Sequence, residues 1–419
     1  MTAIDIASDD PADTVLDHEI GPAQLDIAGM LVKAKRDSGR STLSIARELS
    51  RFVFGSAKLS GDQYFAWRLY DSDRFSPADK AAFIGNMRSR RVNGAINHAE
   101  AILNYVDNKM LYGATLRASG IPHPEPVAVF RRLRLPQGMN WLSSAEDIAA
   151  FLRTTDRYPL FGKPIEGNSS QSAGVISILR HDPQTDTLVR HDGTTVPVDT
   201  FAAEIERYFG SGSYLFQQRI LPHGDIAAAC GDNLGTVRIV TVSEDGRIDP
   251  LYAAWKIAAP DAVADNFWRK GNLLAHIDLA TGAPVRVRTG GGFRYEEVER
   301  HPETGARLLG VALPDWEQAI ETVRDAHSLV PQVGILGFDL ALSSRGPVII
   351  EANTHPNHTL YQDASGRGVY TPELLRGVHE RAAARQQARK IAARKRNKLE
   401  DRIYRKRERE NIRAGMKRT

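Results

Sequence analysis

Residues 335–353 read ILGFDLALSSRGPVIIEAN. Two apolar runs flank the turn Ser343-Ser344-Arg345-Gly346-Pro347, which predicts two strands joined as a hairpin. If the hairpin is symmetric about Arg345, Asp339 lies opposite Glu351, and Asn353 follows on the same face two residues on. Opposed residues of an antiparallel pair hold their Cβ atoms about 4.5–5.5 Å apart, where like charges destabilise the sheet. A bound cation removes that penalty. Asp339, Glu351 and Asn353 are hard oxygen ligands, and a site with few protein ligands beside phosphates is how magnesium is usually held. A solvated acidic face is the simpler explanation of Asp339 taken alone. It suits Glu351 less well, because Glu351 directly continues the apolar run Val348-Ile349-Ile350.

Upstream of the hairpin, short strands and helices alternate. YPLFGKPI, GVISIL, YLFQQRIL, TVRIVTV and LYAAWKIA read as strands, each bounded by Gly, Pro, Asp or Ser. Helices are expected over Ala145 to Arg153, Asp199 to Phe209 and Pro314 to Leu329, the last with Trp316, Ala319, Ile320 and Val323 on one face. IPHPEPVAVF, after the helix stop at Gly120, leads through a turn into a further strand. The interleaving predicts an α+β or α/β fold with several antiparallel neighbours. No repeat of fixed period appears, which excludes solenoids and propellers.

The flanks differ from this middle. Residues 1–26 carry seven acidic side chains and few large apolar ones, the composition of a disordered leader. Residues 27–106 show apolar positions three and four apart, a helical N-terminal module, with Ser76 as an N-cap and Pro77 at the first helical position. From Arg376 to Thr419 there are 17 Lys and Arg against 5 Asp and Glu, a net of +12, leaving 38 against 46 for residues 1–375. An acidic body with a basic, helix-forming tail confines any nucleic-acid or acidic-partner contact to residues 376–419. Its large apolar residues are too sparse for a core stripe, so a long solvated helix is expected.

Composition narrows the classes further. With Cys230 as its one cysteine, the 419-residue chain can form no internal disulfide and no cysteine-rich metal or redox site. No secretory signal and no uncharged apolar run of about 18 residues is present, so the cytoplasm is the expected compartment and no membrane span is expected. His355 and His358 lie in a Pro- and Asn-rich loop without the spacing of a helical zinc motif.

Neither GxxxxGK[ST] nor a strand–GxGxxG–helix occurs. FGKPIEGNSSQSAGVISIL, Phe161 to Leu179, instead places Lys163 in a strand ahead of a loop with Gly167, Ser169, Ser170, Ser172 and Gly174. Small residues let backbone N–H groups approach an anion, serine hydroxyls add donors and the lysine adds charge, which describes a lid over polyphosphate; a polar hairpin loop is the plainer alternative. Tyr214 to Asp225, YLFQQRILPHGD, offers a strand edge to a purine, with His223 or Asp225 near a ribose, although an ordinary edge strand reads the same. Basic residues recur at Arg238, Lys256 and Arg269-Lys270, just before Gly271-Asn272. Arg238 stands mid-strand among β-branched residues and needs a carboxylate or phosphoryl partner.

In this order the pieces resemble the ATP-grasp superfamily over about residues 107–372. They are Asp107-Asn108-Lys109, Lys163 with its loop, Gln217-Gln218, the TVRIV arginine, and Asp339 with Glu351 and Asn353. The helical module and the TVRIVTV segment look like the sugar-transfer-associated branch, related to α-L-glutamate ligases, over about 50–375. The resemblance implies two α+β subdomains closing on ATP within residues 107–375, a lid at about 141–213 and a metal-binding core at about 214–375. It implies that Lys109 and Lys163 contact ATP phosphates, with the 167–174 loop over them. The hinge Gln217, Gln218, Arg219 and Leu221, with His223, would hold the nucleoside, and Asp339, Glu351 and Asn353 would bind one or two Mg²⁺. Arg238, Lys256 and Asn272 are the candidate catalytic residues. Gln218 stands where many relatives carry an acid, which unsettles a side-chain contact to adenine.

The activity so implied is an ATP- and Mg²⁺-dependent carboxylate–amine ligase, forming an amide through an acyl phosphate with release of ADP, in polysaccharide, glycoconjugate or peptide modification. The alternative is a catalytically silent ATP-binding assembly or regulatory protein of a sugar-transfer pathway. Neither substrate, acid or amine, is identified by the sequence.

Overall fold

Helix starts in the first part of the chain are set by short polar side chains that accept from the otherwise unpaired N–H groups of the first turn. The computed structural model describes residues 26–98, 100–133, 140–165, 174–259, 271–289 and 295–416. Gly167, Ser169, Ser170, Ser172, Arg269, Lys270 and residues 1–25 lie outside the described residues. Seven helices come first: α1 (Ile27–Ser38), α2 (Thr42–Phe54), α3 (Gly61–Ala66), α4 (Pro77–Ala81), α5 (Asn86–Ile96), α6 (Glu100–Asp107) and α7 (Lys109–Ala118). Ser41 caps α2, Asn108 caps α7, and Ser76 caps α4 in a reciprocal box with Asp79, with Pro77 at the first position as expected. Tyr64, Phe65, Trp67, Tyr70 and Phe83 form the aromatic core of this region. Beside it Glu48 accepts from buried Lys80 at 2.9 Å and from the Tyr64 hydroxyl at 2.8 Å, so the buried charge is paired.

The first sheet contains β1 (Pro126–Phe130), β2 (Trp141–Leu142), β3 (Leu160–Pro164), β4 (Ile176–Asp182), β5 (Thr187–Arg190), β6 (Thr195–Pro197) and β7 (Tyr214–Gln218). Its order is β2-β1-β7-β3-β4-β5-β6, antiparallel except where β1 meets β2. Because β1 and β7 belong to it, this sheet reaches past both ends of the 141–213 segment. Helices α8 (Ala145–Thr154) and α9 (Val198–Phe209) bury Ile148, Leu152, Phe201 and Ile205 with Phe216 of β7.

The second sheet follows α10 (Gly224–Cys230) and contains β8 (Thr236–Glu244), β9 (Arg247–Ile257), β10 (Leu273–Ile277), β11 (Pro284–Thr289), β12 (Glu296–Glu297), β13 (Ile335–Ser343) and β14 (Gly346–Asn353). The order is β12-β11-β10-β9-β8-β13-β14, antiparallel throughout. One face packs on α11 (Trp316–Ser328), whose Trp316, Ala319, Ile320 and Val323 join the largest core. Against the other face lies α12 (Thr359–Ser365), with Leu360 and Ala364 on Ala254 and Leu274.

The basic tail is helical, α13 (Leu375–Met416), but it is not solvated along its whole length. Its first turns dock: Leu375, Val378 and Ala382 are buried with Ile84, Val92 and Ile96, and Arg381 and Arg385 each reach Glu244 at 2.8 Å. Ile391, Leu399, Ile403 and Tyr404 are exposed. Three small or medium apolar residues at spacing 3 and 4 were enough to seat the start of the helix, a stripe too short to stand out in a charged segment.

Candidate functional site

The hairpin register places Asp339 opposite Glu351, and the next strand pair places Asp339 opposite Arg238. Directly paired residues share a sheet face, so all three point the same way. Arg238 donates from Nε and Nη2 to the two Asp339 oxygens at 2.6 and 2.8 Å, and Lys256 Nζ lies 3.4 Å from Oδ1. Burial works to raise the Asp339 carboxyl, but Arg238 and Lys256 outweigh it and hold its pKa down at about 2. The partner that mid-strand Arg238 requires is therefore a carboxylate. Asp339 does not need a metal to offset Glu351, because protein cations already neutralise it; that part of the hairpin argument applies to Glu351 alone. Glu351 is half-buried, and its carboxylate makes no hydrogen bond or ion pair among the described residues.

Lys163 comes to this group from the other sheet. It stands on β3 with 8% of its surface exposed. Burial lowers its pKa to about 8; Glu351 and Asp339 pull it back up, and Lys109 pushes it further down. Lys109, at the start of α7, donates to the Ile165 carbonyl at 3.4 Å, so both lysines flank the end of β3. Gly174 closes the 167–174 segment with φ of +79°, and its carbonyl accepts from the Tyr214 hydroxyl at 2.7 Å.

Between the sheets opens a cleft of about 120 Å³, lined by Phe161, Ser177, Gln217, Arg219, Ile220 and Ile350 among others. Two of these are chain neighbours of the charged group: Ile350 precedes Glu351, and Phe161 lies two residues before Lys163. The Ser177 hydroxyl is buried and has no hydrogen-bond partner among the described residues. Gln217 and Arg219 of the expected hinge thus face the cleft. Gln218 ends β7, which is paired with β1 on one side and β3 on the other, so Tyr214–Gln218 is not the free strand edge expected; the Gln218 N–H donates to the Glu125 carbonyl at 3.2 Å. Leu221 is 46% exposed and His223 caps α10, and neither lines the cleft. Asn272 is fully buried, with Oδ1 accepting from the Ala259 N–H at 2.7 Å.

The donor set fits a divalent cation held by few protein ligands. Asn353 donates from Nδ2 to the Gly337 carbonyl at 3.4 Å, and its Oδ1, two residues along the strand from Glu351, has no hydrogen-bond partner among the described residues. Among the described residues no group of three or more His, Cys, Asp or Glu could hold a metal. The remaining ligands would have to come from phosphate and water.

Sequence reading missed what holds the loop after Asn353. Asn97, just past α5, donates from Nδ2 to the carbonyls of Ile335 and Thr354 at 3.0 and 2.7 Å and accepts from the Ile335 N–H at 2.9 Å. Asn93 donates to the Pro356 carbonyl at 2.9 Å, and its Oδ1 meets His358 Nε2 at 2.7 Å. The other ring nitrogen of His358 meets the Tyr252 hydroxyl at 2.7 Å. Burial, and then Arg238, lower the His358 pKa to about 3, so the ring is neutral. Asp107 accepts from the Thr354 hydroxyl at 2.8 Å. Helical-module amides thus clamp the loop that begins at the candidate metal ligand. Polar residues in a weakly amphipathic helix were the one available signal.

Solved structures with a similar chain course have low identity. They include the D-alanine–D-alanine ligase of Coxiella burnetii (16% identity, 69% of this chain and 60% of that one, TM-score 0.38) and the ATP complex of the D-alanine–D-alanine ligase of Bacillus anthracis (12%, 71% and 77%, 0.35). The L-amino acid ligase of Bacillus licheniformis is another (14%, 60% and 41%, 0.32). The chain spans 60% of the length of the Coxiella burnetii ligase and 41% of that of the L-amino acid ligase. No curated protein sequence matches it. The family model for sugar-transfer associated ATP-grasp proteins matches residues 87–376, which takes in α5 with its clamp, both sheets and the Lys163–Arg238–Asp339–Glu351 group. The chain belongs to the sugar-transfer associated ATP-grasp family.

Proposed function

We propose that this protein is an ATP- and Mg²⁺-dependent carboxylate–amine ligase acting on a sugar-linked or peptide-like substrate. One observation carries the reading: Lys163 from one sheet and Arg238 and Lys256 from the other converge on Asp339 and Glu351 beside the cleft. Two sheets that each supply cations to one point suit a reaction in which phosphoryl charge must be neutralised and positioned.

In the proposed reaction a carboxylate oxygen of the acid attacks the γ-phosphorus of ATP, and the bond from that phosphorus to the ADP oxygen breaks. The amine nitrogen then attacks the acyl carbon, phosphate departs with the bonding electrons, and the nitrogen gives up a proton. Lys109 and Lys163 bind the phosphates, and Arg238 and Lys256 orient the acyl phosphate oxygens. The cleft at Gln217, Arg219 and Ile220 holds the base. Bound Mg²⁺, on Glu351 and Asn353 with Asp339 beside them, would supply further neutralisation of phosphate charge. Asn93 and Asn97 keep the loop after Asn353 in register with that site.

The test is product analysis with Mg²⁺-ATP and pooled amino acids, amino sugars and small carboxylates. Pool-dependent ADP and phosphate, abolished in Asp339→Asn, are expected; AMP and pyrophosphate would sink the mechanism. A second reading, a nucleotide-binding protein without turnover, is favoured by the two Asp339 oxygens being held by Arg238. It requires saturable ATP binding with no ADP from any pool.

A further inference from the structure

The sheet face that carries the site continues to a second group of cations. Registers run Glu351–Asp339–Arg238–Ala254–His276–Arg286 in one transverse row. Arg286 and Arg288 stand on β11, Arg68 and Arg74 reach them from the helical module, and Arg367 follows α12. Tyr295 is at the centre. The guanidinium carbons of Arg68, Arg286 and Arg288 lie 5.2, 5.6 and 4.3 Å from its ring centroid, and Arg74 Nη1 donates to its hydroxyl at 3.0 Å. A Cβ added at Gly366 would stand 3.2 Å from both the Arg286 guanidinium and Arg74 Nη2, so these groups flank the residue before Arg367.

Among the described residues two carboxylates are ion-paired with these five cations, and the charge of Arg367 also reaches the Asp79 carboxylate. Asp363 accepts from Arg288 at 3.2 Å, and Glu297 pairs with Arg286 at 2.8 Å. Arg68, Arg74 and Arg367 have no ion-pair partner among the described residues, and Arg68 Nε is buried there without a hydrogen-bond partner. Cations gathered in excess of their counter-charges repel one another, and a buried guanidinium nitrogen left unpaired costs desolvation. A ligand with several anionic oxygens relieves both, and guanidinium forks match phosphate oxygens two at a time.

We propose that Arg68, Arg74 and Arg367, backed by Arg286 and Tyr295, bind a phosphate group carried by the substrate. That it belongs to the substrate rests on the ligase reading; that the site binds phosphate does not. Three strand spacings separate Arg238 from Arg286, roughly 14 Å at about 4.8 Å each. Leu360 and Ala364 of α12 cover Ala254 and Leu274 on the sheet face between the two groups, so a substrate that joins them is an elongated phosphate ester that passes around α12, with its reacting carboxylate or amine at the end away from the phosphate.

The test is calorimetric titration of inorganic phosphate into the full chain with the ATP site saturated by Mg²⁺ and AMP-PNP. One saturable site is expected, weakened at least about tenfold in Arg74→Gln/Arg367→Gln with AMP-PNP affinity unchanged. Both side chains are exposed, so the fold should tolerate the change, and Arg367→Gln alone serves as a milder check. The proposal is overturned by absence of saturable phosphate binding, by equal affinity in the double variant, or by succinate binding as tightly as phosphate. None of these outcomes touches the ligase reading, which stands or falls on ADP release.

Discussion

Arg238 and Asp339 face each other on neighbouring strands and share two hydrogen bonds of 2.6 and 2.8 Å, in a group where Lys256 is the second cation. Removing one partner of a buried pair leaves the other charge uncompensated, which costs about 3–5 kcal/mol. Arg238→Met should therefore lower the free energy of unfolding by that order and abolish turnover. Arg238→Lys, which keeps the charge but not the fork, should recover more stability than activity. Denaturant titration with parallel ADP assays checks both. The Asp339 pKa of about 2 lies below the ordinary carboxylate value, so the pair's contribution is present above about pH 4 and is lost as pH falls toward 2.

Lys163 acts in the opposite sense at neutral pH, where the Asp339 shift stabilises the fold and the Lys163 shift destabilises it. Its folded pKa of about 8 lies below the ordinary lysine value, so the unfolded chain binds the extra proton and stability rises as pH climbs from about 8 to about 10. Lys163→Met should be more stable than the parent at pH 7, with the difference closing toward pH 10, and should bind ATP poorly. In the parent, ATP affinity should begin to fall as pH passes 8; Lys163→Arg should keep its affinity. An ATP-binding profile that is flat from pH 7 to 9 in the parent would refute this.

Asn97 satisfies three buried backbone groups at once. Asn97→Ala strands all three, at about 1–3 kcal/mol for each group that finds no substitute. The expected result is a large fall in stability together with a higher Mg²⁺ concentration for half-maximal activity. Asn93→Ala should raise the Mg²⁺ requirement with a smaller loss of stability. A Mg²⁺ requirement unchanged in Asn93→Ala would mean the clamp serves folding alone.

Gly337 lets Pro356 and Arg238 approach from the same side. A Cβ there would stand 2.7 Å from Pro356 Cβ and 3.3 Å from Arg238 Cδ. Gly337→Ala should displace the loop and the arginine together, lowering turnover at least about tenfold for a stability loss of about 1–3 kcal/mol. Activity measured against melting temperature separates the two effects.

Truncation tests the tail. A chain ending after Gln387 keeps Leu375, Val378, Ala382 and both arginines on Glu244, and should melt like the parent. A chain ending at Leu374 loses buried Leu375 and Val378, worth about 1.5–3 kcal/mol each, together with buried Ala382, and should melt well below it.

The Asp339–Glu351 pairing was legible because the turn sits midway between the two carboxylates, and the structure has that pair; nearer the turn the register differs by one residue, with Leu340 opposite Ile349 and Ser343 opposite Gly346, and a bulge between Asp339 and Leu340 makes up the difference. The α11 stripe and the Ser76 cap were legible because their information is local. Strands β2, β5, β6, β10, β11 and β12 were not identified. β2, β6 and β12 are edge strands of two or three residues, and β12 consists of Glu296 and Glu297, so position at a sheet edge rather than composition makes these three into strands; β5, β10 and β11 lie inside their sheets and carry charged or polar residues among the apolar ones. Neither was the Arg238–Asp339 pairing assigned in advance: mid-strand placement announced that Arg238 needs a partner, but the partner lies 101 residues away. The asparagine clamp was hidden for the same reason, since an amide's partners are chosen by tertiary contact and leave no period in the sequence.

The clamp also imposes an order on biosynthesis. Asn97 leaves the ribosome 238 residues ahead of Ile335, the strand residue it must grip. At about 5–20 residues per second that interval lasts on the order of ten to fifty seconds. During it α5 carries amides shaped for partners that do not yet exist, and the helical module must persist without them. Ribosome pausing within those 238 codons would lengthen the wait, and a chaperone that shelters α5 would be most needed there.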